Sequence, residues 1–165
     1  MRKTKWACWA MIVLFGSSAW LVWAQDASVA EERKQWASIT HRLEASPLDQ
    51  NANKEGERAD KQIAGTHDFH VTLCWNLFNE LQGLPYTYQH VILRQYKLAS
   101  ATFQIENPDK VSDHLTTNLF ALESIFKSYS AILILKPNAR SKFLDDLIVK
   151  ENEGKLADKI RGQCK

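Results

Sequence analysis

The stretch VSDHLTTNLFALESIFKSYSAILIL, residues 111–135, decides how the rest of the chain is read. Val111, Leu115, Leu119, Leu122, Phe126, Tyr129 and Leu133 recur at steps of three and four, the spacing that lines apolar side chains along one face of an α-helix. The pattern holds for about six turns, which makes this the expected central helix. Ile132 to Leu135 is apolar on every side, so burial of its last turn is expected, and Pro137 terminates it.

The same periodicity continues to either side. Upstream, Tyr88, Ile92, Gln95, Ala99 and Phe103 share a face, flanked by Val91, Leu98 and Ile105, and the helix they form should stop before Asn107-Pro108. Phe69, Leu73, Cys74, Leu77, Phe78 and Leu81 predict a buried helix that Thr66 caps and that Gly83 and Pro85 end. Valine, threonine and aromatics at 69–75 leave a strand as the alternative there. The segment from Leu48 to Ala64 is polar, with Ala52, Ala59 and Ile63 as a thin apolar stripe. It predicts a surface helix opened by Ser46-Pro47 and closed by Gly65. Ser28 and Glu31 fit a capping box, so a first helix carrying Trp36, Ile39 and Leu43 is expected to start there. Downstream, Phe143, Leu144, Leu147 and Ile148 form one short amphipathic helix, and Leu156, Ala157 and Ile160 a last one after Gly154. The sum is an all-α domain, an irregular bundle or orthogonal array of six to seven helices, without internal repeats or a dividing linker.

Residues 1–24 have the three parts of a cleavable export signal: Arg2, Lys3 and Lys5, an apolar stretch from Trp6 to Trp23, and small-residue exit geometry at Ala24. Cleavage after Ala24 is expected, leaving residues 25–165 as one helical domain. The apolar stretch of 18 residues also reaches the lower limit for an uncleaved anchor, but Gly16, Ser17 and Ser18 interrupt it. Cys8 lies too near the start of that stretch to be a lipidated N-terminus, and the twin-arginine pattern is absent.

Removing the leader changes the charge that matters. The whole chain has 21 basic and 19 acidic residues and a formal charge of +2, whereas residues 25–165 keep 18 basic and 19 acidic, a net of −1. That balance gives no general electrostatic argument for nucleic acid or anionic lipid, and neither a nucleic-acid partner nor a membrane span after cleavage is expected. Of three cysteines, Cys74 and Cys164 remain, and two cysteines in an exported chain are expected to pair.

Reaction chemistry is sparsely marked. His67 and His70 lie one helical turn apart, a spacing that two ligands of one metal ion can use, with His41, His90, His114 or a carboxylate as the missing third. An exposed first helical turn, with Asp68 complementing the dipole, accounts for the same residues without a metal. Glu80, Glu106 and Glu123 fall in or at the ends of apolar helices, where burial can raise a carboxyl pKa for acid–base work. Asp145 and Asp146 are adjacent and so point about 100° apart on a helix. Tyr86, Tyr88, Tyr96 and Tyr129 fit either a ligand groove or ordinary core. The chain has no Cys-x-x-Cys, no Gly-x-Ser-x-Gly, no His-Glu-x-x-His and no glycine-rich phosphate loop. The five glycines after the leader read as helix punctuation, and no cofactor is expected.

From Leu43-Glu44-Ala45-Ser46-Pro47-Leu48-Asp49 through Cys74, Gln104-Ile105-Glu106-Asn107-Pro108, Leu144-Asp145-Asp146-Leu147 and Gly154-Lys155-Leu156-Ala157 to Cys164, the order of elements resembles small secreted bacterial all-helical proteins with one disulfide and no assigned activity. The resemblance implies a bacterial source and agrees with Cys74–Cys164 pairing, and it transfers no catalytic residue. The expected role is therefore that of a periplasmic or secreted, non-enzymatic protein that binds another protein or is structural in the envelope, an inhibitor or immunity protein being one form. A metal-assisted or acid–base envelope hydrolase, and a carrier of a small apolar ligand, are the alternatives.

Overall fold

The computed structural model describes residues 18–66, 74–83 and 85–164. Among these residues there are seven α-helices and no strand: α1 (Ser18–Ala45), α2 (Gln50–Gly65), α3 (Trp75–Gln82), α4 (Gln89–Glu106), α5 (His114–Leu135), α6 (Lys142–Asn152) and α7 (Leu156–Gln163). The all-α class is as the periodicity requires. The chain divides into two compact units, Met1–Glu32 and Arg33–Lys165. Residues 18–32 of the first are helical, and the second holds the packed bundle.

Several helix boundaries differ from the sequence expectation, each for a local reason. α1 runs through the Ser28–Glu31 capping box from Ser18, because residues 18–27 contain no proline or glycine to stop a helix. Ser46-Pro47 forms a turn, and the cap of α2 is Asp49, whose Oδ1 accepts the N–H of Ala52 at 2.7 Å. Val111 precedes rather than joins α5, since a 3-10 turn at Pro108–Lys110 comes first. Asp113 then caps α5 by accepting the Thr116 N–H at 3.0 Å and its hydroxyl at 2.7 Å. Thr66 closes α2, both its N–H and its hydroxyl bonding to the Ile63 carbonyl. The helix expected from Phe69 is found from Trp75, and residues 67–73 lie outside the described residues.

Two apolar cores share one wall. The larger joins Leu77 and Leu81 of α3, Val91, Ile92 and Tyr96 of α4, Leu122, Ile125, Tyr129 and Ile132 of α5, Leu144 and Leu147 of α6, and Leu156 and Ile160 of α7. The smaller joins Trp36 and Leu43 of α1, Ala52, Ala59 and Ile63 of α2, and Leu98 and Ala101 of α4. α4 therefore has apolar contacts on two adjoining faces, and 12 of its 18 residues are buried, polar ones included. The wall is α4 rather than α5, which contributes to the larger core alone.

By length and composition α5 is the one described helix apolar enough to cross a membrane, at a mean hydropathy of 1.3. Ten of its residues are buried against protein, which makes it a core helix of the bundle. α2 carries its expected stripe, with one addition. Gly56 sits mid-helix and buried, and a Cβ there would lie 2.7 Å from Leu43 Cδ1. This glycine is a close-approach point between α1 and α2 and not a helix end. Gly154, at φ +70°, is the punctuation expected between α6 and α7.

Cys74 and Cys164 are bonded, their Cα atoms 4.8 Å apart across 90 residues of sequence. The bridge ties the start of α3 to the end of α7. Polar contacts run beside it: Asn76 Nδ2 donates to the Gln163 carbonyl at 2.8 Å, and Gln163 Nε2 donates to Glu80 Oε1 at 3.1 Å.

Candidate functional site

Three polar assemblies join helices, and only some of the candidates singled out from the sequence, His41, Glu106, Asp145, Tyr86, Tyr88 and Tyr129, fall in them. The first is a buried seam. Gln95 of α4 donates from Nε2 to the Thr40 carbonyl of α1 at 3.0 Å and to Ser124 Oγ of α5 at 2.8 Å. Thr102 donates to Thr40 Oγ1 at 2.9 Å, and Thr40 in turn donates to the Trp36 carbonyl. Ser128 extends the seam to the Leu43 carbonyl at 3.2 Å. A residue read from spacing as one of an apolar face, Gln95, is thus the polar link of three helices.

The second assembly holds the end of α4 against α1. His41 presents Nδ1 to Glu44 Oε2 at 3.4 Å and Nε2 to Glu106 Oε1 at 3.0 Å, and Lys127 of α5 reaches Glu44 Oε2 at 3.3 Å. The hydrogen bond with Glu106 raises the His41 pKa above its ordinary value, against the lowering effect of partial burial, with Glu44 adding to the rise. The two imidazole nitrogens are committed to different carboxylates, so the group works as a bridge. Glu106 is here the acceptor of a helix tie.

The third lies where α5 meets α6. Tyr129, fully buried, accepts the Ser141 N–H at 2.7 Å and bonds Asp145 Oδ1 at 3.0 Å, while Arg140 pairs with the same carboxylate at 3.2 Å. Tyr86 packs edge-on against Tyr129 with ring centroids 6.3 Å apart, and its buried hydroxyl has no partner among the described residues. Burial raises the pKa of both phenols. Tyr88 joins the stack, but Tyr96 stands apart in α4, hydrogen-bonded to Asn118, and burial pushes its pKa up to about 12.

The remaining candidates are dispersed. Glu80 serves the α3–α7 contact beside the disulfide, with Lys159 Nζ 3.9 Å away. Glu123 is exposed, and its charge adds to the effect of burial in raising the Glu151 pKa. Asp146 is exposed while Asp145 turns to Tyr129, the divergence expected of neighbours on a helix. His90 and His114 are exposed, and His114 borders a shallow depression of about 330 Å³ lined by Pro108, Asp109, Val111 and Ser112. His67 and His70 lie outside the described residues. Among the described residues no three His, Cys, Asp or Glu side chains converge as a metal-binding set.

The feature that sequence reasoning missed is the end of α5. Its last turn was expected in the core, yet Ile134 is 80% exposed and Leu135 60%. Ile132, two residues earlier, is fully buried, so the bundle ends just short of them. Lys136, Arg140 and Lys142 follow at once and are exposed. The turn that carries them is fixed: the Lys136 N–H bonds the Ile132 carbonyl at 2.7 Å, the Ala139 N–H bonds the Lys136 carbonyl at 2.9 Å, and Tyr129 holds Ser141.

No protein-family model, curated protein or solved structure matches this chain.

Proposed function

We propose that this chain works outside the cytoplasm as a non-enzymatic envelope protein that acts by contact, holding another envelope component at the exposed end of α5. The observation that carries the reading is the exposure of Ile134 and Leu135 at the end of α5, beside a turn that Tyr129 and Ser141 hold in place. Leaving two large apolar side chains in water forgoes about 1.5–3 kcal/mol for each that burial could supply, and a surface contact recovers it. The export-signal pattern of residues 1–24 supports the location. A disulfide across 90 residues is consistent with an oxidising compartment. His41, Glu106, Gln95 and Tyr129 act in this reading as ties between helices.

Site-specific photo-crosslinking in living cells tests it. A benzophenone side chain at position 134 should give a discrete adduct with an envelope component, and one at the exposed Lys54 of α2 should give none. Equal adducts from both positions, or none from position 134 of a folded protein, would count against contact at this turn.

A further inference from the structure

The charges around the exposed turn name the surface that it fits. Residues 134–142 read Ile-Leu-Lys-Pro-Asn-Ala-Arg-Ser-Lys, three cations and no anion. Arg140 is partly neutralised by Asp145 of α6, whereas Lys136 and Lys142 are exposed and make no ion pair with any described residue. This local excess stands out from a chain that carries a net of −1 over residues 25–165. An apolar protein partner would match Ile134 and Leu135 but would leave the cations without counter-charge. An anionic bilayer satisfies both, because acyl chains accept the apolar side chains while headgroup phosphates accept the ammonium and guanidinium groups. α5 supplies the geometry, since its end is the edge of a folded bundle and the two apolar residues stand beyond the buried Ile132.

We propose that the end of α5 and the turn after it are a peripheral membrane contact, with Ile134 and Leu135 seated among the acyl chains of an anionic bilayer and Lys136 and Lys142 on its phosphates. The assignment rests on the contact reading above and names its partner. Binding is shallow, since one turn and not a whole helix enters the interface, and it weakens as salt screens the cations.

Vesicle sedimentation tests the assignment with protein recovered from the compartment to which the cell delivers it. The vesicles are phosphatidylcholine alone, or equal parts phosphatidylcholine and phosphatidylglycerol. The parent should partition onto the mixed vesicles and far less onto phosphatidylcholine. Ile134→Ser combined with Leu135→Ser should weaken partitioning roughly 30-fold or more. Lys136→Gln combined with Lys142→Gln should weaken it about 30-fold. All four positions are exposed, and circular dichroism checks that the variants stay folded. Equal partitioning of parent and apolar variant, or no partitioning of the parent, overturns the assignment. A dimer by light scattering that the apolar variant abolishes also overturns it, because the occupant is then a second copy. If position 134 crosslinks to a protein and the parent ignores vesicles, the lipid assignment fails while the contact reading stands. If neither lipid nor protein is found, both fail.

Discussion

Replacing Tyr129 by phenylalanine removes one oxygen from the interior and nothing else, so its cost can be worked from the bonds that oxygen makes. The side chain is fully buried, and its hydroxyl accepts the Ser141 N–H at 2.7 Å and bonds Asp145 at 3.0 Å. Ser141 is 7% exposed, so its N–H would lose its partner away from water, at a cost of about 1–3 kcal/mol. The bond to Asp145 adds less than a fully buried charged bond, because that carboxylate is 28% exposed. Together these give about 2–3 kcal/mol, or a melting temperature lower by roughly 10 °C. The neighbouring ring provides the contrast. Tyr86 sits 6.3 Å from Tyr129, and its buried hydroxyl makes no hydrogen bond with any described residue. Tyr86→Phe keeps the ring contact and removes an unsatisfied oxygen, so stability should hold or rise by up to about 1 kcal/mol. Urea titration of both variants, with amide exchange at Ser141, reads the two signs. A Tyr129→Phe variant as stable as the parent with unchanged exchange at Ser141, or equal losses from the two substitutions, would refute the reasoning.

Cys74→Ser and Cys164→Ser should each cost about 4.5 kcal/mol in urea titrations by the chain-entropy estimate for a loop of this length, and the double variant should be no worse than either; additive losses would mean that the sulfurs act separately. Because the folded pKa of His41 is raised, its contribution is full below its unfolded value near 6.5 and is lost as pH rises through the folded value. The stability gap between parent and His41→Gln should therefore be wider at mildly acidic pH than at mildly alkaline pH, and a gap independent of pH would contradict the bridge to Glu44 and Glu106. Gln95→Ala should cost about 3 kcal/mol, from two buried hydrogen bonds and a small cavity; a loss no larger than that of an exposed substitution would show that the seam carries little.

Local chemistry made the fold class legible and left the arrangement hidden. The steps from Leu115 to Leu133 and the stripe of Ala52, Ala59 and Ile63 each report a property that one segment carries alone. The role of α4 as shared wall is not a property of its own segment, because Leu98 and Ala101 turn to one core and Ile92 and Tyr96 to the other, and those cores are built by helices distant in sequence. Gln95 was legible only as a member of the α4 face, because the groups that receive it and Thr102, Thr40 and Ser124, are distant in sequence. Gly56 carried no signal of its own, since its meaning is the proximity of Leu43. Ile134 and Leu135 misled for the opposite reason. Composition favours burial of Ile-Leu at a helix end, but whether the core reaches that far depends on where α6 and α7 pack. Glu106 was singled out as a carboxylate in an apolar context, and the structure gives it His41 as a partner.

Intact mass measurement of the protein recovered from its native compartment, alkylated under denaturing conditions before any reductant is added, tests the central claim most directly. Export followed by oxidation predicts a chain that begins at Gln25 and takes up no alkylating reagent. A chain that retains Met1, or one that carries the reagent on both Cys74 and Cys164, would contradict it.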